Sequence, residues 1–346
     1  MYDEAVKKIL EYLDEKSALT PAYPKFSAEG YKACKIEQKN FHEIKKTNSS
    51  KKIAFVDGGN AEIMGSSNFS LNLIRVGYAV FQNNKKASAK RFELLALIKA
   101  LNKNNEIYYQ TSFFEMNRNE LDLEEISFSS FDHTLMIGIN RAEIGSVANA
   151  VRRFLELKLA KLVSDRQLAD IIVLDGNLQS TLTNENNYLN ELYESCGKNN
   201  LVLTALSKTT SLFTENGNLL SAVLGTISPS ESWFYCPIAE IKNPNHKAEM
   251  FFAKFHDKSR HIFRFEIFNE QKIKAEEAIN EIASNCADPA FIGYPYGLIE
   301  ADKIARVSNQ EKESLKTIFL VKLRSKNIEK YLNSANAHEI LNGIRF

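Results

Sequence analysis

Proline and glycine are scarce in this chain, with 7 and 14 copies among 346 residues, so neither a long disordered linker nor a fibrous segment is expected. Cysteine is sparser still: Cys34, Cys196, Cys236 and Cys286 lie far apart with no CxxC spacing. That argues against structural zinc and against a secreted disulfide framework, and it fits reduced thiols in a cytosolic protein. No apolar run reaches the roughly 18 residues of a membrane span. Charge of one sign is not in excess either, with 44 Lys+Arg against 43 Asp+Glu and a net charge of +1. Bulk charge therefore gives no case for a nucleic-acid partner, and any such surface must arise from local segregation. GxGxxG, Walker A, GxSxG and HExxH patterns are all missing, which removes dinucleotide, ATPase, hydrolase-elbow and zinc-protease readings.

What is there suits a folded protein, with 44% hydrophobic and 25% charged residues. The length allows one large domain, or a core with a second lobe. The N-terminal MYDEAVKKILEYLDEK reads as an amphipathic surface helix over 3–16, with Ala5, Ile9, Leu10 and Leu13 on its apolar face, rather than a signal peptide. Lys52–Val56 (KIAFV) reads as a buried strand, followed by a tight turn at Asp57-Gly58-Gly59. Leu71–Gln82 is a second strand, paired with it as a hairpin.

Further on, Ala87–Leu101 looks helical, placing Glu93 on a solvated helix, and Asn117–Asp132 is acidic and irregular. Ser146–Leu162 carries the strongest helical periodicity, with Val147, Val151, Phe154, Leu155, Leu159 and Leu162 recurring on one face. Asp170–Leu174 (DIIVL) is a buried strand ending in Asp175-Gly176. Helix over 187–196 and strand over 200–206 follow, then strands at 233–238, 248–255 and 261–268. The last of these alternates as a half-exposed antiparallel strand would. Helices are expected over 271–286 and within 298–323, with a small capping helix over 328–344. The order points to an α/β core with a mixed sheet and helices on its faces.

The chemistry-bearing feature is a repeated strand ending, FVDGG at Asp57 and VLDG at Asp175. Ligands of α/β sheets bind beyond the carboxyl ends of strands. Two carboxylates held there repel each other unless a cation joins them. Mg²⁺ or Mn²⁺ fits hard oxygen donors, and two such ions about 4 Å apart suit phosphodiester hydrolysis. The plainer reading is that each Asp-Gly only makes a turn.

Glu156, on the helix before the second strand, is either a third ligand or an ion-pair partner of Arg152 four residues earlier. Asp302, near the start of a late helix, suits the helix dipole as well as a metal. Tyr294 can donate to a phosphate or pack, and Lys208 can neutralise a phosphate or stay solvated. Lys254, Lys258, Arg260, His261 and Arg264, interleaved with Phe252, Phe255, Phe263 and Phe265, have the ingredients of a single-strand path. Alternation directs Phe263 and Phe265 to the core, however.

Together these motifs resemble the NurA family of DNA end-resection nucleases, which have a ribonuclease H-like core. FVDGG matches the family's first strand motif at Asp57, and its helical glutamate matches Glu156. DGNL matches the second strand motif at Asp175, and Leu206-Ser207-Lys208 its Leu-Ser-Lys segment. Its Tyr-Pro motif and the following Ala-His step match Tyr294 and Ala301-Asp302. Gly59 stands where serine is usual and Asp302 where histidine is common, removing a hydroxyl and an imidazole.

The resemblance implies a nuclease domain over 49–323, with a helical extension over 1–48 and a capping helix over 324–346. It implies metal ligation by Asp57, Glu156, Asp175 and Asp302, with Lys208 and Tyr294 at the phosphate, and two Mn²⁺ (or Mg²⁺) ions per site. Single-stranded DNA or end-processed duplex would be the substrate, degraded 5′-to-3′ with single-strand endonuclease activity. A homodimer working with a HerA-type hexameric translocase is implied as well. The rival readings are a nuclease acting on RNA, a non-catalytic subunit that guides DNA or docks a translocase, and an unrelated α/β enzyme.

Overall fold

The computed structural model describes residues 2–17, 22–45, 47, 50–116, 120–121 and 124–323. The capping helix expected over 328–344 lies outside them. They fall into two compact units. The first comprises residues 2–47, 175–179 and 202–296; the second comprises 50–174, 180–201 and 297–323.

The first unit opens with helix α1 (Tyr2–Ser17) and short strands β1 (Pro24–Lys25), β2 (Tyr31–Ala33) and β3 (Phe41–Glu43). Ile9 and Leu10 of α1 are exposed. The second unit begins with β4 (Lys52–Ser66), β5 (Phe69–Gln82), β6 (Lys85–Lys103), β7 (Glu106–Glu115) and β8 (Ile126–Ser129). Helix α2 (Ser146–Asp165), β9 (Ile171–Asp175) and α3 (Glu185–Lys198) follow. The chain continues in the first unit with β10 (Val202–Ser207), β11 (Phe213–Thr214), α4 (Leu220–Ile227), β12 (Trp233–Tyr235), β13 (Ala239–Ile241), β14 (Ala248–Lys254), β15 (Phe263–Phe268) and α5 (Ala275–Ala283). Helices α6 (Tyr296–Ala305) and α7 (Asn309–Leu323) end the described chain.

The second unit is built on a mixed sheet. Strands β4 to β8 form an antiparallel meander, and β9 returns parallel to β4, with Ile53–Val56 opposite Ile171–Leu174. Parallel neighbours need a crossover, and α2 supplies it by laying Val147, Val151, Phe154, Leu155 and Leu159 into the core. An antiparallel meander whose first strand takes a parallel partner after a helix is the ribonuclease H-like α/β arrangement, extended by N- and C-terminal helices. In the first unit, β3, β12, β14, β15 and β10 lie side by side in that order, all antiparallel. Among the described residues no helix is long and apolar enough to cross a membrane.

Three expectations are corrected. Residues 87–101 are not helical but belong to β6, where Phe92, Leu94, Ala96 and Ile98 are buried in alternation. Asn83-Asn84 and Asn104-Asn105 bracket the strand with φ of 50° to 66°, the left-handed geometry of tight hairpin turns. Glu93 is therefore on a strand, and its side chain is only 11% exposed because it pairs with buried Arg75. Asp57-Gly58-Gly59 is not a turn either, since β4 runs on with Gly58 opposite Val76 and Gly59 opposite Arg75. Finally, the single helix expected within 298–323 is two helices. Ser308 and Glu311 start the second by bonding each other's backbone N–H groups, at 3.2 and 2.9 Å, a capping box.

The end of α6 lies against β4. A Cβ added at Gly59 would stand 2.4 Å from the Ala305 carbonyl oxygen, and backbone cannot swing aside as a side-chain tip can. Gly59→Ser is expected to lower stability by about 1–3 kcal/mol through overpacking, read as a reduced urea midpoint. An unchanged or raised midpoint would show that α6 yields without cost.

Candidate active site

The apolar run Ile53–Val56 is fully buried between β5 and β9, and Asp57 follows it at 6% exposure. Its Oδ1 accepts the Gly58 N–H at 2.7 Å. From α2, Glu156 (4% exposed) reaches the same stretch of strand. A Cβ at Gly58 would lie 2.5 Å from Glu156 Oε1, so only glycine lets that carboxylate rest on the backbone beside Asp57. Arg152 Nη1 pairs with Glu156 Oε1 and donates to the Gly58 carbonyl at 3.2 Å. Arg153 Nη1 lies 3.7 Å from Glu156 Oε2, and its Nε bonds Glu185 at 2.8 Å.

One cationic nitrogen thus bridges a buried carboxylate and a backbone carbonyl. The position already favours positive charge, and its donors are hard oxygens of the kind Mg²⁺ and Mn²⁺ take. The residues fit a divalent cation in that respect. They form no closed cage, because among the described residues no group of three or more His, Cys, Asp or Glu could hold a metal by itself. Alternation along β4 gives the reason. Phe55 and Gly59 face α6 while Gly58 faces α2, so Asp57 and Glu156 approach the strand from its two sides.

Asp302 does not cap a helix start. It sits in the second half of α6 and pairs with Arg306 at 2.8 Å, Asp302 being half-buried and Arg306 exposed.

In the first unit Asp175 is paired with Lys208, whose Nζ lies 2.5 Å from Oδ2. The turn after Asp175 is fixed at three points. Gly176 N–H donates to Leu206 O at 2.9 Å, Ser207 Oγ donates to Gly176 O at 2.7 Å, and Leu178 N–H donates to Glu266 Oε2 at 2.7 Å. Tyr294 is 2% exposed and stacks on Phe291, with Lys208 Nζ 5.9 Å from its ring centre.

The basic run places no free stacking rings, since Phe252, Phe255, Phe263 and Phe265 are all core. Lys254 donates to Ser230 O at 2.9 Å, and Arg264 pairs with Glu266.

Glu266 is the residue that sequence reasoning missed. It is fully buried in β15, with His246 Nε2 at 3.2 Å and Arg264 Nε at 2.6 Å. Burial pushes its carboxyl up, but Arg264, His246 and the Leu178 N–H outweigh that and hold it at about 2. A charged residue inside HIFRFEIF was the available signal. The alternation suggests one half-exposed face, whereas β15 is covered on both.

A family model described as NurA domain matches residues 51–307. Among solved structures, the NurA nuclease from Sulfolobus solfataricus is similar at TM-score 0.51 and 15% identity, covering 93% of this chain and 94% of that one. Endonuclease V of Ciona intestinalis, in complex with a DNA containing inosine, matches at TM-score 0.38 and 12% identity, over 79% and 89% of the two chains. The catalytic domain of human endonuclease V matches at TM-score 0.38 and 12% identity, over 78% and 85%. No curated protein sequence matches the chain.

Because the folded carboxyl of Glu266 lies at about 2 against an ordinary 4.5, its stabilisation is full above the ordinary value and lost as pH falls toward the folded one. Glu266→Gln leaves Arg264 without its buried partner and is expected to cost about 3–5 kcal/mol at neutral pH. Between about pH 5 and pH 3 the urea midpoint of the unaltered protein should fall more steeply than that of the variant. Parallel slopes would mean that Glu266 is not the titrating group.

Proposed function

Because the chain belongs to the NurA family, we propose that it is a divalent-metal-dependent nuclease that hydrolyses phosphodiester bonds of DNA. The observation that carries the reading is a cationic group bridging the buried Glu156 carboxylate and the Gly58 carbonyl, one residue after buried Asp57. The register of β9 supports it further. Val56 is opposite Leu174 in parallel pairing, and the next residue of each strand is an aspartate, Asp57 and Asp175.

In this reading Asp57, Glu156, Asp175 and Asp302 are the ligands of Mn²⁺ or Mg²⁺, with two ions per site. Bound there, the metal supplies positive charge at the phosphodiester and makes water a stronger nucleophile near neutral pH. The chain's own groups have separate tasks. Arg152 holds Glu156 in place, and a divalent cation held by Glu156 and the Gly58 carbonyl would take the position of its guanidinium. Lys208, released from Asp175, neutralises a phosphate oxygen. Tyr294, held against Phe263 and Phe291 and 2% exposed, would act on the phosphate only once its hydroxyl is uncovered.

Polarity from 5′ to 3′, single-strand endonuclease activity, a homodimer and a HerA-type translocase partner belong to the same proposal, on family grounds. A second reading has an observation in its favour. Glu156, Asp175 and Asp302 each already have a protein cation as partner, as suits a subunit that guides DNA without cutting it.

End-labelled linear DNA with Mn²⁺ separates the two. Label should be lost in a metal-dependent way, and Asp57→Asn should slow that loss by at least about a hundredfold. Stable DNA, or loss that persists in the variant, would remove the nuclease assignment. Comparing 5′ label, 3′ label and RNA reads polarity and substrate.

A further inference from the structure

A solvent-open cavity of about 360 Å³ lies wholly in the first unit, between the segment after β1 and the residues that follow Asp175 and Ser207. That volume falls in the range of small-ligand sites, roughly 300–1,000 Å³. Its lining contains two charged residues, Lys25 and Arg264, and no carboxylate. Its lining also includes the hydroxyl residues Ser207, Thr209 and Thr210 and the amide residues Asn177 and Gln179. An aromatic ring completes it: Tyr31 stacks on Phe26 with centroids 4.6 Å apart and planes 7° from parallel.

The rigid part of the lining is built from behind. Tyr31 Oη is 2.8 Å from His246 Nδ1, and His246 Nε2 is 3.2 Å from Glu266. Arg264 turns Nε and Nη2 to the Oε1 of that same buried carboxylate. Glu266 therefore offsets the net charge of Arg264 and fixes its direction. A guanidinium has five N–H donors, more than one carboxylate oxygen can accept. Arg264 thus offers oriented hydrogen bonds, and exposed Lys25 supplies the uncompensated positive charge.

We propose that this cavity holds one nucleotide of a single strand, its phosphate at Lys25, Arg264 and the hydroxyl residues, and its base on the Tyr31 ring with the amides at the base edge. An anion alone would use the cation and the hydroxyls but would leave the ring and amides idle. A peptide or sugar would leave Lys25 unmatched. Asn177 stands two residues beyond Asp175, so the cavity is the subsite for a nucleotide next to the bond that the nuclease reading has this chain cut. Only that last placement rests on the nuclease reading.

The test uses the full chain in EDTA, so that no turnover occurs. A fluorescein-labelled oligothymidylate about a dozen nucleotides long is titrated by anisotropy, with dTMP and inorganic phosphate as competitors. Lys25→Glu reverses the free charge, and Ser211→Trp, at an exposed lining position, fills the space. Each is expected to weaken strand binding by about tenfold, the size of one lost stacking or phosphate contact. dTMP should displace the strand, and inorganic phosphate should not.

Unchanged affinity in both variants would overturn the proposal. So would displacement by phosphate as readily as by dTMP, which would mark a simple anion site. So would dTMP binding as tightly as the strand, which would mark a site for free nucleotides. If Mn²⁺ yields no cleavage while both variants still lose strand binding, the nuclease reading fails and the cavity assignment stands. If cleavage is intact and binding is unchanged, the reverse holds.

Discussion

Charge held out of water is the constraint around which this molecule is arranged. An unpaired buried carboxylate costs several kcal/mol, and the cost is recovered only when an opposite charge and further hydrogen bonds sit close by. Glu156, Glu185 and Glu266 are all nearly or fully buried, and each has an arginine against it: Arg152, Arg153 and Arg264. Two of these carboxylates also accept backbone N–H groups, from Thr181 and Leu182 at Glu185 and from Leu178 at Glu266. In this way the ion pairs fix the loops that follow β9. Around Glu156 the arrangement differs, because there the guanidinium also reaches a main-chain carbonyl. An arginine side chain, about a third exposed, occupies a place that a small cation would also favour.

Glycine makes that place possible. The missing side chain at position 58 lets a helix-borne carboxylate touch the strand, and the missing side chain at position 59 lets the end of α6 close over it. The departure from the family's usual serine at Gly59 is thus a packing requirement of this chain's α6. Its neighbour Gly58 accommodates the Glu156 carboxylate.

Much of the core was legible because its periodicities are strong. The β4–β5 hairpin, α2, and the return strand ending in Asp175 all follow from apolar runs and helical spacing. Strand β6 was not, because Phe92-Glu93-Leu94-Leu95-Ala96-Leu97 carries good helix formers whose preference is overruled by pairing on both sides. The two Asn-Asn pairs bounding it are the local signal of its hairpin turns. Asp-Gly after an apolar run suggests a turn, yet Gly58 is extended backbone, kept small by a neighbour distant in sequence, and no local rule reveals such a neighbour. The pairing of Lys208 with Asp175 and the Glu266 network depend on contacts between remote segments, which spacing does not encode.

The account depends on the Gly58 carbonyl and the Glu156 carboxylate accepting a divalent cation in place of Arg152. Titration of the purified chain with Mn²⁺, following free ion by electron paramagnetic resonance, measures this without any substrate. Binding should weaken by at least about tenfold in Glu156→Gln and tighten in Arg152→Ala, where the competing charge is gone. Equal affinity in all three proteins, or no binding in any, would contradict it.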